Sequence, residues 1–299
     1  MKSRIKYILL VGCLLGCGWS GFSQELAGNR IPDRDSAILL SFWEYAGKHD
    51  LQGLPVAKRI PLIGTFFLGT PYEAGTLEGG KKEELVIRLS GLDCVTLVEN
   101  TLALALLPEY NTGMTEVYKR NLRYLRYRGG EIRDYTSRLH YSGDWLYEMG
   151  KSGVLKDVTR ELGGIKHPVQ VDFMSRNWRK YPALEADPVL IPKIRSVETA
   201  INERTYYYIP KGEIAAISPK LSDGDIILIT TGIKGLDTSH LGLAVRKGEK
   251  VYLLHASSAA KKVVLSEVPL EEYMNPIASQ TGIMVGRSVR GTGEKVGFP

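Results

Sequence analysis

The sequence predicts an α+β fold, with helices packed on an antiparallel sheet, and two observations carry that reading. Apolar residues recur at helical spacing early in the chain, at Ile38, Leu39, Phe42 and Tyr45, and again at Val95, Leu97, Val98, Leu102, Leu104 and Leu106. The C-terminal third then changes period. Short β-rich runs at 226–230, 241–245 and 251–255 are punctuated by Asp-Gly and Lys-Gly turns. Helices first and closely spaced strands afterwards make an α+β domain.

Taken in order, the chain opens with Lys2, Arg4 and Lys6 ahead of an apolar run at 7–15. This is a signal-peptide h-region, too short to span a bilayer as a helix. Two exits stay open. Gly21-Phe22-Ser23 places small residues before a cleavage at Gln24, whereas Leu14-Leu15-Gly16-Cys17 resembles a lipoprotein box. Residues 1–23 therefore read as a signal peptide, with a lipoprotein signal ending before Cys17 as the alternative. Either exit predicts export to the periplasm, with a membrane anchor only if Cys17 is lipidated. Residues 24–34 form a linker, and 35–299 form a single catalytic domain. Pro32 and Asp33 open the first helix, which runs to Lys48. The apolar stretch 60–72, interrupted by Gly and Pro, predicts a short helix followed by a turn. A buried helix follows Cys94, and a second at 118–128 stops at Gly129-Gly130. The polar and aromatic middle, 130–205, holds helical and loop insertions that shape a site. Lys247-Gly248-Glu249-Lys250 closes a hairpin, and 263–265 and 283–285 add strands.

Composition narrows the function. At 43% hydrophobic and 24% charged over 299 residues, the chain can bury one sizeable core. Formal net charge is +6, but three of the cations lie in the export segment, leaving about +3 with no concentrated basic run. Nucleic acid is therefore not an expected partner. Sixteen Tyr and the mild positive charge suit a carbohydrate or an acidic peptide.

With residues 1–23 removed, Cys94 is the one remaining cysteine. Exported proteins pair their thiols or lose them, so a lone thiol is either a buried small hydrophobe or a nucleophile. Gly91 and Asp93 lead into an apolar-periodic run, so Cys94 sits where a helix begins. A helix N-terminus favours thiolate, the reactive form. Of five histidines, His240 begins one predicted strand and His255 ends the next. If those strands form one hairpin, the two imidazoles become neighbours at its open end. A thiol nucleophile needs a base within hydrogen-bond reach, and that base needs a third group to fix its tautomer. Cys94, His240 and His255 supply the set. Asp93 also reads as a helix N-cap. There is no His-Glu-x-x-His, so a zinc amidase lacks its ligands; neither metal nor other cofactor is expected.

Gly69-Thr70-Pro71-Tyr72, Asp93-Cys94, Asp223-Gly224-Asp225, Ser239-His240 and the strand-terminal His255 together resemble the NlpC/P60 cell-wall peptidases. The stretches 135–145 and 171–178 are similar to one branch, formerly a domain of unknown function. Its members are regarded as N-acetylmuramoyl-L-alanine amidases. The resemblance spans residues 35–290. It implies a papain-like fold and a cysteine hydrolase that cleaves the amide between N-acetylmuramic acid and L-alanine through a thioester. It also implies a peptidoglycan or muropeptide partner and a monomer. On this reading Cys94 is the nucleophile, His240 the base and His255 its orienter. Tyr72, Asp93, Arg138, His140, Tyr141 and Ser239 become candidate substrate-binding residues, Arg138 because a guanidinium grips a stem carboxylate bidentately. Set against this, Tyr72 reads as turn packing, and Arg138, His140 and Tyr141 as lining a helix face. The chain has Asp93-Cys94-Val95-Thr96 where many relatives have Asp-Cys-Ser-Gly. That departure weakens the alternative of a γ-D-glutamyl-diaminopimelate endopeptidase. The remaining alternative is a non-catalytic wall-binding module.

Overall fold

The computed structural model describes residues 31–78, 82–168 and 170–289. The signal-peptide reading, most of the linker and the Cys17 lipid site lie outside the described residues. Five helices come first: α1 (Asp33–Lys48), α2 (Val56–Phe66), α3 (Cys94–Ala105), α4 (Thr115–Arg126) and α5 (Ser142–Lys151). The middle contributes β1 (Leu155–Asp157), β2 (Ile165–His167), α6 (Phe173–Arg176), α7 (Pro182–Ala186), α8 (Leu190–Asn202), β3 (Tyr206–Pro210) and α9 (Ile214–Ile217). The chain then runs through β4 (Ile226–Thr231), β5 (Thr238–Lys247), β6 (Lys250–Ser257), β7 (Lys262–Leu265), α10 (Leu270–Met274) and β8 (Gln280–Ser288).

All pairings among these strands are antiparallel, in the order β2-β3-β8-β4-β5-β6-β7, with β1 also paired to β8. The α+β architecture of helices on an antiparallel sheet is therefore the observed one. Alternation along the strands divides the core. Leu228, Leu243 and Leu254 face α2 and α3, meeting Ile60, Ile63, Leu97 and Leu102. Ile227, Ile229, Leu253, Ile283 and Val285 point the other way, onto Ile214, Ile217, Leu270 and Met274. α2 lies so close to the sheet that a Cβ on Gly64 would come within 2.6 Å of the Leu243 side chain. Glycine is required there by contact rather than by conformation.

Two differences from the sequence reading have local causes. The second helix begins at Thr115 and ends at Arg126, because Arg128–Gly130 forms a tight turn with Gly129 at φ +62°. Strands β1, β2 and β3 occupy the middle, where insertions were expected. Their short segments show no clean alternation, and pairing to β8 and to one another defines them.

Candidate active site

The approach to α3 is fixed residue by residue. Asp35 of α1 accepts the Leu89 and Ser90 N–H groups at 2.7 Å each. Glu73 lies flat on Gly91, where a Cβ would fall 2.2 Å from the Glu73 carboxyl carbon. Asp93 then caps the helix. Its Oδ1 accepts the Thr96 N–H at 2.8 Å, while the Asp93 N–H donates to Thr96 Oγ1 at 2.9 Å. This reciprocal capping box places Cys94 at the first helical position. Below it, Glu99 and Arg126 form a buried ion pair at 2.8 Å, which ties α3 to α4.

The Cys94 thiol sits where two opposing influences meet. Burial pushes its pKa up to about 12, and the Asp93 carboxylate adds to that rise. The nearby backbone N–H groups of Leu241, Cys94 and Val95 act the other way and lower it. The thiolate expected from the helix N-terminus is therefore outweighed: in the unliganded site the thiol holds its proton. The Leu241 contact follows from the sheet. The β5–β6 ladder ends at Leu243↔Leu254, so beyond that pair β5 is free to meet the α3 N-terminus.

The two strand histidines also meet beyond that point. Continuing the register sets His255 opposite Gly242, so the imidazoles approach diagonally, with His240 Nε2 2.7 Å from His255 Nδ1. Their rings stand edge to face at 4.8 Å and 89°. His240 is half-buried, whereas His255 is only 2% exposed. Burial lowers the His240 pKa to about 4. Burial, and then the neighbouring His240, lower that of His255 to about 3. Both rings are neutral at ordinary pH, and one must donate to the other.

Tyr72 arrives from a third direction. Residues 69–73 run between β7 and the approach to Cys94: the Tyr72 N–H donates to Lys261 O at 2.9 Å, and the Leu92 N–H donates to Pro71 O at 3.0 Å. The Tyr72 phenol pKa is raised by burial first, and then by its electrostatic coupling to Cys94 and Asp93.

A family profile described as AmiA-like, N-acetylmuramoyl-L-alanine amidase-like, matches residues 62–283. The chain belongs to this amidase-like family. A Bacteroides uniformis N-acetylmuramoyl-L-alanine amidase is 38% identical, with a TM-score of 0.75, covering 79% of this chain and 99% of its own. A Bacteroides fragilis protein described as a candidate xylanase is 37% identical at a TM-score of 0.71, covering 75% and 99%. A Legionella pneumophila protein at 24% identity and TM-score 0.65, covering 86% and 95%, shares the fold. No curated protein matches the chain at a significant level.

Within this amidase-like chain, Cys94, His240, His255 and Tyr72 converge, while the other candidates have different surroundings. Asp93 is occupied as the helix cap, and Ser239 is exposed beside His240. Arg138 makes its bidentate grip on the chain's own Glu83, at 2.9 and 2.8 Å, and holds Glu78 at 2.7 Å. Its guanidinium is held by the Leu77 carbonyl, Glu78 and Glu83 rather than standing free for a stem carboxylate. His140 is half-buried, donating from Nε2 to Tyr135 O at 2.8 Å, with desolvation pushing its pKa down to about 3. The buried Tyr141 donates its hydroxyl to Glu198 at 2.7 Å and accepts the Met174 N–H.

Tyr273 was missed by the sequence reading. Its ring packs edge to face on His255 at 5.0 Å and 65°, and its phenol is raised by burial and then by charge at Cys94. The five-residue α10 gives it no sequence signal. A cavity of about 330 Å³ beside the β4–β5 loop is lined by His167, Tyr208 and Lys234, and by none of Cys94, His240 and His255. No group of three or more metal-ligating side chains occurs among the described residues.

Proposed function

We propose that this amidase-like protein is an exported, cysteine-dependent N-acetylmuramoyl-L-alanine amidase of the papain-like NlpC/P60 type. It acts as a monomer on peptidoglycan or its soluble fragments. One observation supports the reading: α3, which begins at Cys94, packs on β5 and β6, the strands that carry an imidazole pair joined at 2.7 Å. Thiol, base and orienter are thereby assembled from a helix start and two strands.

The charge states select among routes. With the thiol raised and both rings lowered, a preformed thiolate–imidazolium pair is disfavoured. Proton transfer therefore accompanies attack. His240 takes the thiol proton on Nδ1 while its Nε2–H donates to His255 Nδ1. That assignment requires His255 to carry its own proton on Nε2. Sulfur attacks the lactyl carbonyl, and the resulting oxyanion meets the Cys94 N–H; one such donor supplies about 2.7–4 kcal/mol in comparable sites. His240 then protonates the departing L-alanine amine. The thioester is hydrolysed by water that gives its proton to the same imidazole.

Glycoside hydrolysis in most enzymes uses two facing carboxylates. The polar groups converging here are a thiol, two imidazoles and two phenols, which suit an amide better than a glycosidic bond. Val95 offers no hydroxyl where endopeptidase relatives carry Ser, so cleavage at the sugar–peptide junction is favoured over cleavage within the stem.

The test is incubation of the mature protein and a Cys94→Ala variant with an N-acetylmuramoyl tripeptide, products being identified by mass spectrometry. Release of an intact L-alanine-led tripeptide by the wild type alone is the expected result. Cleavage after D-glutamate, or turnover by the variant, would overturn the assignment.

A further inference from the structure

The hairpin joining β6 to β7 turns through residues 258–261, and its last turn residue, Lys261, has φ +59°. That is the left-handed region which hairpin turns fill with glycine or asparagine. Among the described non-glycine residues only Asp50 shares such a φ. A long β-substituted side chain held there is strained, and such strain collects where a site needs a group aimed.

The turn adjoins the proposed site. The Lys261 carbonyl accepts the Tyr72 N–H at 2.9 Å, and Lys262 forms a bridge with Pro71. Tyr72 in turn bridges Leu92, two residues before the nucleophile candidate. Lys261, Tyr72 and Leu92 thus stand side by side at sheet spacing, about 10 Å from the first to the last. A lysine side chain covers much of that distance. Both Lys261 and Lys262 are exposed, and neither ammonium has an ion-pair partner among the described residues. Glu73, the nearby acid on the bridging segment, is turned onto Gly91 instead. Arg138, the other cation considered for substrate, is occupied by Glu83 and Glu78.

We propose that Lys261 is a specificity-determining residue: a cation at the rim that receives the carboxylate of the acidic residue following L-alanine in the stem. This rests on the amidase reading above, since an amide cleaved at Cys94 places the next residue of the stem within a few ångströms of the sulfur.

The experiment compares two N-acetylmuramoyl tripeptides in which the D-glutamate is linked to the third residue through its γ-carboxyl, and which differ only in whether its α-carboxylate is free or amidated. Wild type, Lys261→Asn, Lys261→Gly and Lys261→Arg are assayed on both. Asparagine and glycine tolerate the left-handed backbone and remove the charge, so folding is retained. The expected result is a kcat/KM about three- to tenfold lower for both uncharged variants on the free acid, carried mainly by KM. The amidated substrate is unaffected, and Lys261→Arg keeps the preference. Lys261→Gly should also melt no lower than wild type. Discrimination that persists in the uncharged variants, or an equal loss on both substrates, overturns the proposal while leaving the amidase reading intact. Absence of wild-type turnover on both overturns the amidase reading and the proposal with it.

Discussion

Replacing Asp93 by Asn separates the two roles of that side chain. Both hydrogen bonds from Thr96, one from its N–H and one from its hydroxyl at 2.8 Å, go to the same oxygen, Oδ1. An Asn amide oxygen in that place keeps both, and Asn caps helices as well as Asp does, so α3 should retain its start and stability within about 0.5 kcal/mol. The charge, however, is gone. Two unit charges roughly 5 Å apart at an effective dielectric of 20–40 interact by about 2–3 kcal/mol, and the half-exposed Asp93 belongs at the weak end. The Cys94 pKa should therefore fall by on the order of one unit. Burial, the larger cause of its elevation, is untouched, so the thiol stays above its ordinary value. The thiolate fraction at fixed pH rises about tenfold, while intrinsic nucleophilicity drops by roughly threefold, for a net gain of about threefold. The assay is the rate of iodoacetamide alkylation at pH 8 in protein lacking residues 1–23, where Cys94 is the one thiol. An unchanged or slower rate, with melting temperature preserved, would refute the electrostatic account of this thiol.

Four further outcomes follow from the same geometry. His255→Ala removes the acceptor that fixes the His240 tautomer, and kcat should drop by about 10²–10⁴ with KM little changed; a loss confined to KM would contradict the orienting role. Because burial lowers the His240 pKa to about 4 and the proposed mechanism uses the neutral ring as base, kcat/KM should hold from pH 8 to about 5 and fall only as pH passes through about 4. An acid limb near 6.5 would show that the ring is not held neutral by burial. Glu99→Ala leaves Arg126 buried without its partner and should cost about 3–5 kcal/mol in denaturant unfolding, whereas a loss below 1 kcal/mol would mean that the pair adds little. Tyr273→Phe keeps the packing on His255 and should stay within about threefold of wild-type kcat, while Tyr273→Ala should lose about tenfold or more. Equal values for the two would remove the ring contact as the cause.

Local signals carried a good part of the architecture. Gly91 and Asp93 ahead of an apolar-periodic run marked the start of α3, and Asp-Gly and Lys-Gly turns delimited β4, β5 and β6 where the sheet has them. The adjacency of His240 and His255 was legible because a tight hairpin makes it a local property. The status of Arg138, His140 and Tyr141 was not. All three sit in a polar, aromatic stretch that looks like a binding surface, yet Glu83, the Tyr135 carbonyl and Glu198 occupy them from 55, 5 and 57 residues away. A guanidinium reads the same in sequence whether its carboxylate partner comes from a substrate or from the chain.

The sequence alone determined what adjacent residues can decide: helix starts, turns, strand runs, and which side chains carry thiol and imidazole chemistry. Tertiary structure decided what depends on distant contact. It set β1 and β3 beside β8, packed α3 with its leading Cys94 on β5, and placed Tyr273 against His255. It also set the charge states. A helix start by itself favours thiolate, but the thiol keeps its proton here because desolvation outweighs the opposing backbone N–H groups. Hydrogen bonding to the helix start is local and visible in the letters; burial is a sum over the whole fold.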